Sequence, residues 1–334
     1  MKKMNLQRFA FTQGTTAGTP TVNPVNVTTQ VTTGSSMAPT MKTFYDTSLL
    51  ENAREKMLFS QFGKKQPLKG NKVEWRKFNT FAKALTPLSE GVIPTGKTFG
   101  MTNIEASTTQ HGDYTAVSDR LELEAFDDVI YGATEEMGAA EGETFDTLTR
   151  NILIAGNSVA YAGDKDSRAT LTNADVLTPV DVAKAVTWLK KNKAPQIDGY
   201  YVAIVHPSVA FDLRNSDEWK EFHKYSDVAP IFNGEIGTLH GCRFIESNNA
   251  KVWATEGNPA VYATLFLGKD AFGVLDPQGE GMEMIVKGRG EIGGPLEQFS
   301  TIGYKFCHGA KILYQERLLR VESGSHFGDI DEAN

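Results

Sequence analysis

The sequence has 334 residues, 40% of them hydrophobic and 22% charged, with a formal net charge of −7. That is the make-up of a soluble globular chain long enough for one large or two ordinary domains, and it argues against a globally basic nucleic-acid binder. No stretch approaches the ~20 apolar residues of a membrane span, and no apolar run of a signal peptide follows the basic start Met1-Lys2-Lys3.

In chain order, residues 11–39 carry no charge and are mostly Thr, Gly, Pro, Ser, Asn and Val, which predicts an extended or mobile arm. From Pro39 to Phe62 the apolar residues Phe44, Leu49, Leu50, Ala53, Met57, Leu58 and Phe62 fall near helical spacing. Glu51, Arg54, Glu55 and Lys56 cover the other side, so an amphipathic helix ended by Gly63 is expected. Lys72 to Phe81 alternates like a strand, and Ile104 to Val117 reads as its returning partner. Between them, Ala84 to Gly100 is punctuated by Pro87, Gly91, Pro94, Gly96 and Gly100. Loops of this length tend to be functional, so the pair predicts a long projecting hairpin. Two strands alone are marginal in water, and this hairpin needs another surface to lie on.

The segment Phe126 to Ala155 predicts one long helix, a spine of about 45 Å. Its apolar residues Phe126, Ile130, Met137, Phe145, Leu148 and Ile152, with Ala133 and Ala140 between them, form one expected stripe. Asp127 and Asp128 would oppose the dipole at its start and Arg150 at its end, with Gly156-Asn157 as a left-handed stop. A polar loop follows from Tyr161 to Asn173. Thr178 then caps a helix with Pro179 first, Asp181 in the first turn, Lys190, Lys191 and Lys193 at the end, and a buried stripe of Val182, Ala185, Val186 and Leu189.

Tyr200 to Val205, Cys242 to Glu246 and Val261 to Leu267 read as buried strands. Short helices end near Arg214 and span Asp217 to Lys224, and Gly234 to Gly241 is a turn-rich approach. Thr178 to Asp276 is therefore expected to form an α/β domain. Met282 to Lys287, Gln298 to His308 and Ala310 to Val321 read as strands, the last two as a meander returning to the spine, and Phe327 to Asn334 should fray.

The charge is uneven. Residues 1–85 hold thirteen Lys/Arg against four Asp/Glu, whereas residues 105–150 hold twelve Asp/Glu against two Arg. Two solvated faces would explain this, and so would the basic part of one copy lying on the acidic part of another.

Chemistry is sparse. Gly288-Arg289-Gly290-Glu291-Ile292-Gly293 spells the dinucleotide fingerprint, but Gly294-Pro295 follows where a helix is needed. Asp164-Lys165-Asp166 lacks the glycine and closing glutamate of a calcium loop. The histidines 111, 206, 223, 240, 308 and 326 include no i, i+4 pair for zinc. Cys242 and Cys307 are too few for a disulfide framework, and His240 beside Cys242 reads as a turn histidine next to a core cysteine. The expectation is no enzyme, no metal and no cofactor, in a chain folded in a reducing cytoplasm. Trp75, Phe78 and Phe81 interleave with Lys72, Arg76, Lys77 and Lys83 as in a single-strand binding face, yet strand packing explains the same residues.

The order of arm, amphipathic helix, projecting hairpin, acidic spine, α/β domain and returning strands resembles the major capsid protein of tailed phages, with the Hong-Kong-97-type α+β fold. The likeness runs over nearly the whole chain. Leu50-Glu51-Asn52-Ala53-Arg54, Gln61-Phe62-Gly63-Lys64-Lys65, Val73-Glu74-Trp75-Arg76-Lys77-Phe78 and Leu88-Ser89-Glu90-Gly91-Val92-Ile93-Pro94 are similar to the coat family typified by phage N-four. Gly199-Tyr200-Tyr201-Val202, His206-Pro207, Gly234-Glu235-Ile236-Gly237 and Gly241-Cys242-Arg243-Phe244-Ile245-Glu246-Ser247 are similar to its central domain.

The resemblance implies an N-terminal arm over residues 1–66, an extended hairpin loop over 67–110, a peripheral domain over 111–177 with strands from 277–334, and an axial domain over 178–276. It implies a homo-oligomer of hexamers and pentamers in an icosahedral phage head, assembled in the host bacterial cytoplasm around double-stranded DNA touched non-specifically. A scaffolding protein, a portal and a decoration protein are the implied partners, and no membrane is involved. The implied subunit interface comprises Arg54, Lys64, Lys65, Trp75, Arg76, Lys77, Lys83, Glu90 and Lys97 against Glu135, Glu136 and Glu141. Lys83 and Lys97 stand where some relatives carry a crosslinking lysine, but no asparagine or acid is matched to them. An encapsulin-like compartment enclosing a protein cargo shares the fold and is the alternative.

Overall fold

A computed structural model of the protein describes residues 57–68, 72–79, 81–88, 90–93, 96–125, 129–223, 235–255, 258–277, 283–288, 291 and 296–334. The expected arm, most of the expected amphipathic helix, the start of the spine at 126–128 and most of the Gly288–Gly293 loop lie outside these residues. The last part of that expected helix is a single 3-10 turn, Phe59–Phe62. Gly63 ends it in extended rather than left-handed backbone. A side chain at Gly63 would lie 2.6 Å from both Phe272 and Val274, so glycine is there for close packing.

The elements then run β1 (Lys64–Leu68), β2 (Lys72–Phe78), β3 (Met101–Ser107), β4 (Thr109–Ser118), α1 (Asp119–Glu124) and α2 (Val129–Ile154). After them come β5 (Val159–Tyr161), α3 (Pro179–Lys191), β6 (Tyr201–Val205), α4 (Pro207–Asn215) and α5 (Asp217–His223). The chain continues through β7 (Glu235–Leu239), β8 (Cys242–Glu246), β9 (Val252–Thr255), β10 (Asn258–Leu267) and β11 (Phe272–Pro277). It closes with β12 (Glu283–Lys287), β13 (Phe299–His308), β14 (Ala310–Ile312) and β15 (Leu318–Ser323).

The largest sheet has the order β5-β15-β10-β6-β8-β7, with β9 pairing on β10. Successive strand residues point to opposite faces, so this sheet divides two apolar layers. On one face Tyr201, Ala203, Val205, Phe244, Tyr262 and Phe266 pack with Val182 and Leu189 of α3 and with Val209 and Leu213 of α4. On the other, Val202, Ile204, Ile245, Leu265 and Leu267 pack with Leu58, Phe59, Leu153 and Phe272. A small sheet, β1-β11-β14, closes that second face. The expected capping box is present at α3: Thr178 and Asp181 satisfy each other's backbone N–H groups.

A separate antiparallel sheet, β12-β13-β4, carries α2. Its middle strand presents Tyr304, Phe306 and His308 on one side. Phe145 of α2 packs 5.6 Å from the Phe306 ring and edge-on at 4.9 Å to His308.

Three tail and helix expectations are corrected. The strand ending in Val321 does not return to the spine as a meander. It enters the large sheet as β15, antiparallel to β10 and parallel to β5. The C-terminal residues are anchored rather than frayed. Asp331 accepts the Tyr262 hydroxyl at 2.6 Å and also the Ser208 hydroxyl, Asp212 accepts the His326 backbone N–H at 3.1 Å, and Asn334 bridges Ala250 and Val252. Finally, neither Gly156 nor Asn157 adopts positive φ at the end of α2.

Candidate assembly interface

The spine corrects a second expectation. Its predicted stripe, from Ile130 to Ile152, is only half-buried, and the residues α2 buries fully are Glu141, Asp146, Thr149, Arg150 and Leu153. Polar groups can be buried when they find partners, and three of these four do. Asp146 Oδ1 accepts the backbone N–H groups of Leu58 at 3.0 Å and Phe59 at 2.8 Å, capping the 3-10 turn that leads in from the N-terminal side. Burial pushes its carboxyl up to about 6, although those N–H groups, that of Ser60 and the Asn249 amide pull the other way.

Arg150 is a buried pin rather than a surface charge. It donates to the Asn249 carbonyl at 2.9 Å and to the Asn249 side chain at 2.7 Å. Thr149 meets His308 Nε2 at 3.0 Å, and burial, aided by His111, holds that histidine down to about 4. The spine thus ties together the chain leading to β1, the turn after β8 and the end of β13.

The hairpin is built on β2 and β3, paired from Lys72 opposite Ser107 to Phe78 opposite Met101. Alternation turns Val73, Trp75 and Lys77 inward and leaves Lys72, Glu74, Arg76 and Phe78 exposed. Trp75 packs with Val73, Ala106 and Leu275. It also lies so close to Gly273 that a side chain there would meet its ring at 2.8 Å. Lys77 sits 4.5 Å over the Tyr314 ring with its Nζ 3.4 Å from Glu316. The base is therefore braced by side chains from β11 and from the residues after β14.

Beyond the Asn79 to Gly100 backbone bond at 2.9 Å, the tip reverses the usual distribution. Phe78, Phe81, Leu88, Val92 and Phe99 are all exposed, Leu85 is 84% exposed and Ile93 is 93% exposed. Phe99 packs against Phe78 at 4.8 Å and Phe81 at 5.6 Å. An exposed apolar patch of this kind marks an interaction surface.

Of the sequence-predicted interface residues, Arg54 lies outside the described residues. Lys64, Lys65, Arg76, Lys83, Glu90 and Lys97 are exposed, and Lys97 donates to the Ala82 carbonyl within the hairpin. Trp75 and Lys77 are half-buried in the hairpin base. Glu136 is exposed on α2, and Glu135 is half-buried, accepting the Tyr131 hydroxyl at 3.1 Å. Glu141 is the exception: it is 6% exposed and burial raises its carboxyl, so it is not on the free surface.

Sequence reading missed α1, whose Leu121 and Leu123 are exposed beside Glu122 and Glu124, and the exposed Leu296 and Phe299. The start of β13 joins α1 through the Asp119 to Gln298 backbone bond at 2.9 Å. Burial pushes the Cys242 thiol up, as a core cysteine requires. Among the described residues there is no His, Cys, Asp or Glu cluster able to hold a metal, and no helix long and apolar enough to cross a membrane.

A family model described as a phage capsid protein matches residues 102–305. The fold is similar to the capsid of Ralstonia phage GP4, with a TM-score of 0.66 at 16% identity over 89% of this chain and 98% of that one. It is similar to the capsid of cyanophage Pam1, with a TM-score of 0.68 at 13% identity over 86% and 97% of the two chains. It is similar also to the capsid of cyanophage P-SCSP1u, with a TM-score of 0.64 at 15% identity over 87% and 95%. No curated relative matches the sequence.

Proposed function

The chain belongs to the phage capsid protein family, and from that premise we propose that it is the coat subunit of an icosahedral head, built as hexamers and pentamers around double-stranded DNA. It is a structural, non-enzymatic protein of the virion with a Hong-Kong-97-type fold, and it acts as part of a multimeric shell. The family favours this coat over a compartment enclosing a protein cargo.

One observation carries the assembly mechanism: a hairpin held firmly at its base and tipped with exposed apolar side chains. Burying one such side chain is worth roughly 1.5–3 kcal/mol. Several of them on a neighbour offset the cost of ordering a two-stranded hairpin, and repetition around a shell multiplies the gain. In this reading residues 1–66 are the arm and 67–110 the hairpin loop. Residues 111–177 with 277–334 form the peripheral part, apart from β5 and β15, which complete the large sheet of the axial part over 178–276; the axial part meets its counterparts at capsomer centres. A scaffolding protein would set curvature, a portal would occupy one vertex and a decoration protein would coat the outside. Contact with packaged DNA would be electrostatic and sequence-independent, and assembly would take place in the host cytoplasm.

Deleting residues 84–100 is the direct test. The shortened chain should fold, keep its thermal transition and fail to form shells by electron microscopy. Normal shells from that variant would remove the hairpin from the mechanism.

A further inference from the structure

A cavity of about 310 Å³ opens where the loop between β5 and α3 meets the β9–β10 pair, and Arg168, Leu171, Trp253, Asn258, Pro259 and Val261 line it. Trp253 and Val261 stand opposite each other on that pair, and the Arg168 guanidinium lies 3.5 Å over the Trp253 ring. Nε and Nη2 of Arg168 are spent on Glu322 at 2.7 Å each. Its side chain is nevertheless 40% exposed, and its Nη1 donates to no acceptor among the described residues. Asn258 is exposed in the same wall. The charge behind the wall is out of balance. Arg320 Nε stands 2.8 Å from the same Glu322 carboxylate, and its guanidinium is 5.6 Å from the Trp253 ring centre. Lys251 lies two residues before Trp253, on its side of the strand. Burial, with the Arg150 and Arg168 charges nearby, holds its amine below the ordinary lysine range. Among the described residues Glu322 is the one acidic side chain within ion-pair distance of Arg168, Arg320 or Lys251. Three cations against one carboxylate leave a surplus that a doubly charged phosphate matches better than a single carboxylate does.

We propose that this cavity binds a phosphate group, free or borne by a nucleotide, with Arg168 Nη1 and the Asn258 amide as its donors and Lys251 and Arg320 supplying charge from behind. Leu171, Pro259 and Val261 form an apolar wall on which a flat ring can lie, so a nucleotide would use both parts of the cavity. The bound group ties the loop before α3 to the start of β10. None of these residues belongs to the hairpin that carries assembly, so the site is separate from that surface.

The test titrates the full-length, unassembled chain with inorganic phosphate, deoxyadenosine monophosphate and deoxyadenosine by calorimetry at constant ionic strength. The two phosphate-bearing probes should bind and deoxyadenosine should not. Tighter binding of the monophosphate than of phosphate assigns a nucleotide, and equal binding assigns the phosphate group alone. At about five times its dissociation constant, either should raise the thermal midpoint by ~1–2 °C. Either should also slow the modification of Arg168 by phenylglyoxal, read by mass spectrometry. N258D sets a carboxylate in the cavity wall without touching Glu322 and should weaken both probes by roughly tenfold or more, whereas N258Q keeps the amide and should keep the binding. No binding by either phosphate-bearing probe, an unchanged affinity in N258D, or Arg168 modified equally fast with and without phosphate would overturn the proposal. Deoxyadenosine binding as tightly as its monophosphate would overturn it too, because the apolar wall alone would then be the site.

Discussion

Replacing Asp146 with asparagine separates the charge of the spine's central carboxylate from its geometry. The folded chain raises this group from 3.8 to about 6, burial being the first cause. A group raised in the folded state favours folding in acid. Its contribution is fully present below pH 3.8 and is lost as pH rises through about 6. At about 1.4 kcal/mol per unit, the residue costs the neutral-pH fold ~3 kcal/mol relative to pH 4. Asp146→Asn keeps an oxygen for the Leu58 and Phe59 N–H groups and has no charge to bury.

The assay is urea unfolding of the unassembled chain at pH 4, 5, 6 and 7, followed by the fluorescence of buried Trp219. The stability of the variant minus that of the wild type should climb by ~3 kcal/mol between pH 4 and pH 7. Asp146→Ala should sit ~1–3 kcal/mol below Asp146→Asn at every pH, because it strands buried donors. His308 moves the wild-type curve the other way. Its depressed value makes its contribution present above 6.5 and lost as pH falls towards 4, so only the difference between variant and wild type isolates Asp146. A flat difference, or a wild type that gains on the variant towards pH 7, would mean that the N–H groups outweigh burial, and the reasoning would fail.

Two further substitutions probe the large sheet. Glu322 on β15 is fully buried and receives Arg168 through two bonds of 2.7 Å. Arg320 Nε stands 2.8 Å from the same carboxylate as a single ion-pair contact. Arg168→Ala should therefore cost ~3 kcal/mol by denaturant unfolding, and it also removes the cation stacked 3.5 Å over Trp253. An unchanged midpoint would show that Arg320 alone satisfies the acid. Gly324 approaches the backbone so closely that a methyl group would sit 2.1 Å from the Thr172 carbonyl oxygen. Gly324→Ala should destabilise by ~1–3 kcal/mol, and a neutral result would mean that the Thr172 loop yields freely.

The parts legible in the sequence are those with local signals. Thr178, Pro179 and Asp181 mark a helix start by themselves, and the apolar runs at Tyr201–Val205 and Cys242–Glu246 can only be buried strands. Proline and glycine between Ala84 and Gly100 announced the hairpin, though not the exposure of Ile93 or Leu85. The spine was legible as a helix but not in its phase. Asp146 and Arg150 look like surface residues until Leu58, Phe59 and Asn249 arrive from far along the chain to satisfy them. Short strands such as β1, β5 and β14 take their identity from the strands they pair with, and nothing near Leu318–Ser323 says that β10 is its neighbour. The brace on the hairpin base was hidden for the same reason, since Tyr314 and Glu316 come from the opposite end of the sequence.

The bonds around Asp146 also bear on when the chain acquires its shape. Leu58 and Phe59 reach Asp146 across 88 and 87 residues, and Arg150 reaches Asn249 across 99. Contacts that close loops of this length form late, after local pairings have lowered the entropy of closure. The amides of Leu58 and Phe59 should thus be among the last to gain protection in pulse-labelled hydrogen exchange during refolding, after those of β6 and β10. Simultaneous protection would refute this order. A newly made subunit would then pass through an interval in which its central sheet is complete while the direction of the N-terminal segment is still open. During that interval a partner could choose the geometry before the chain fixes it.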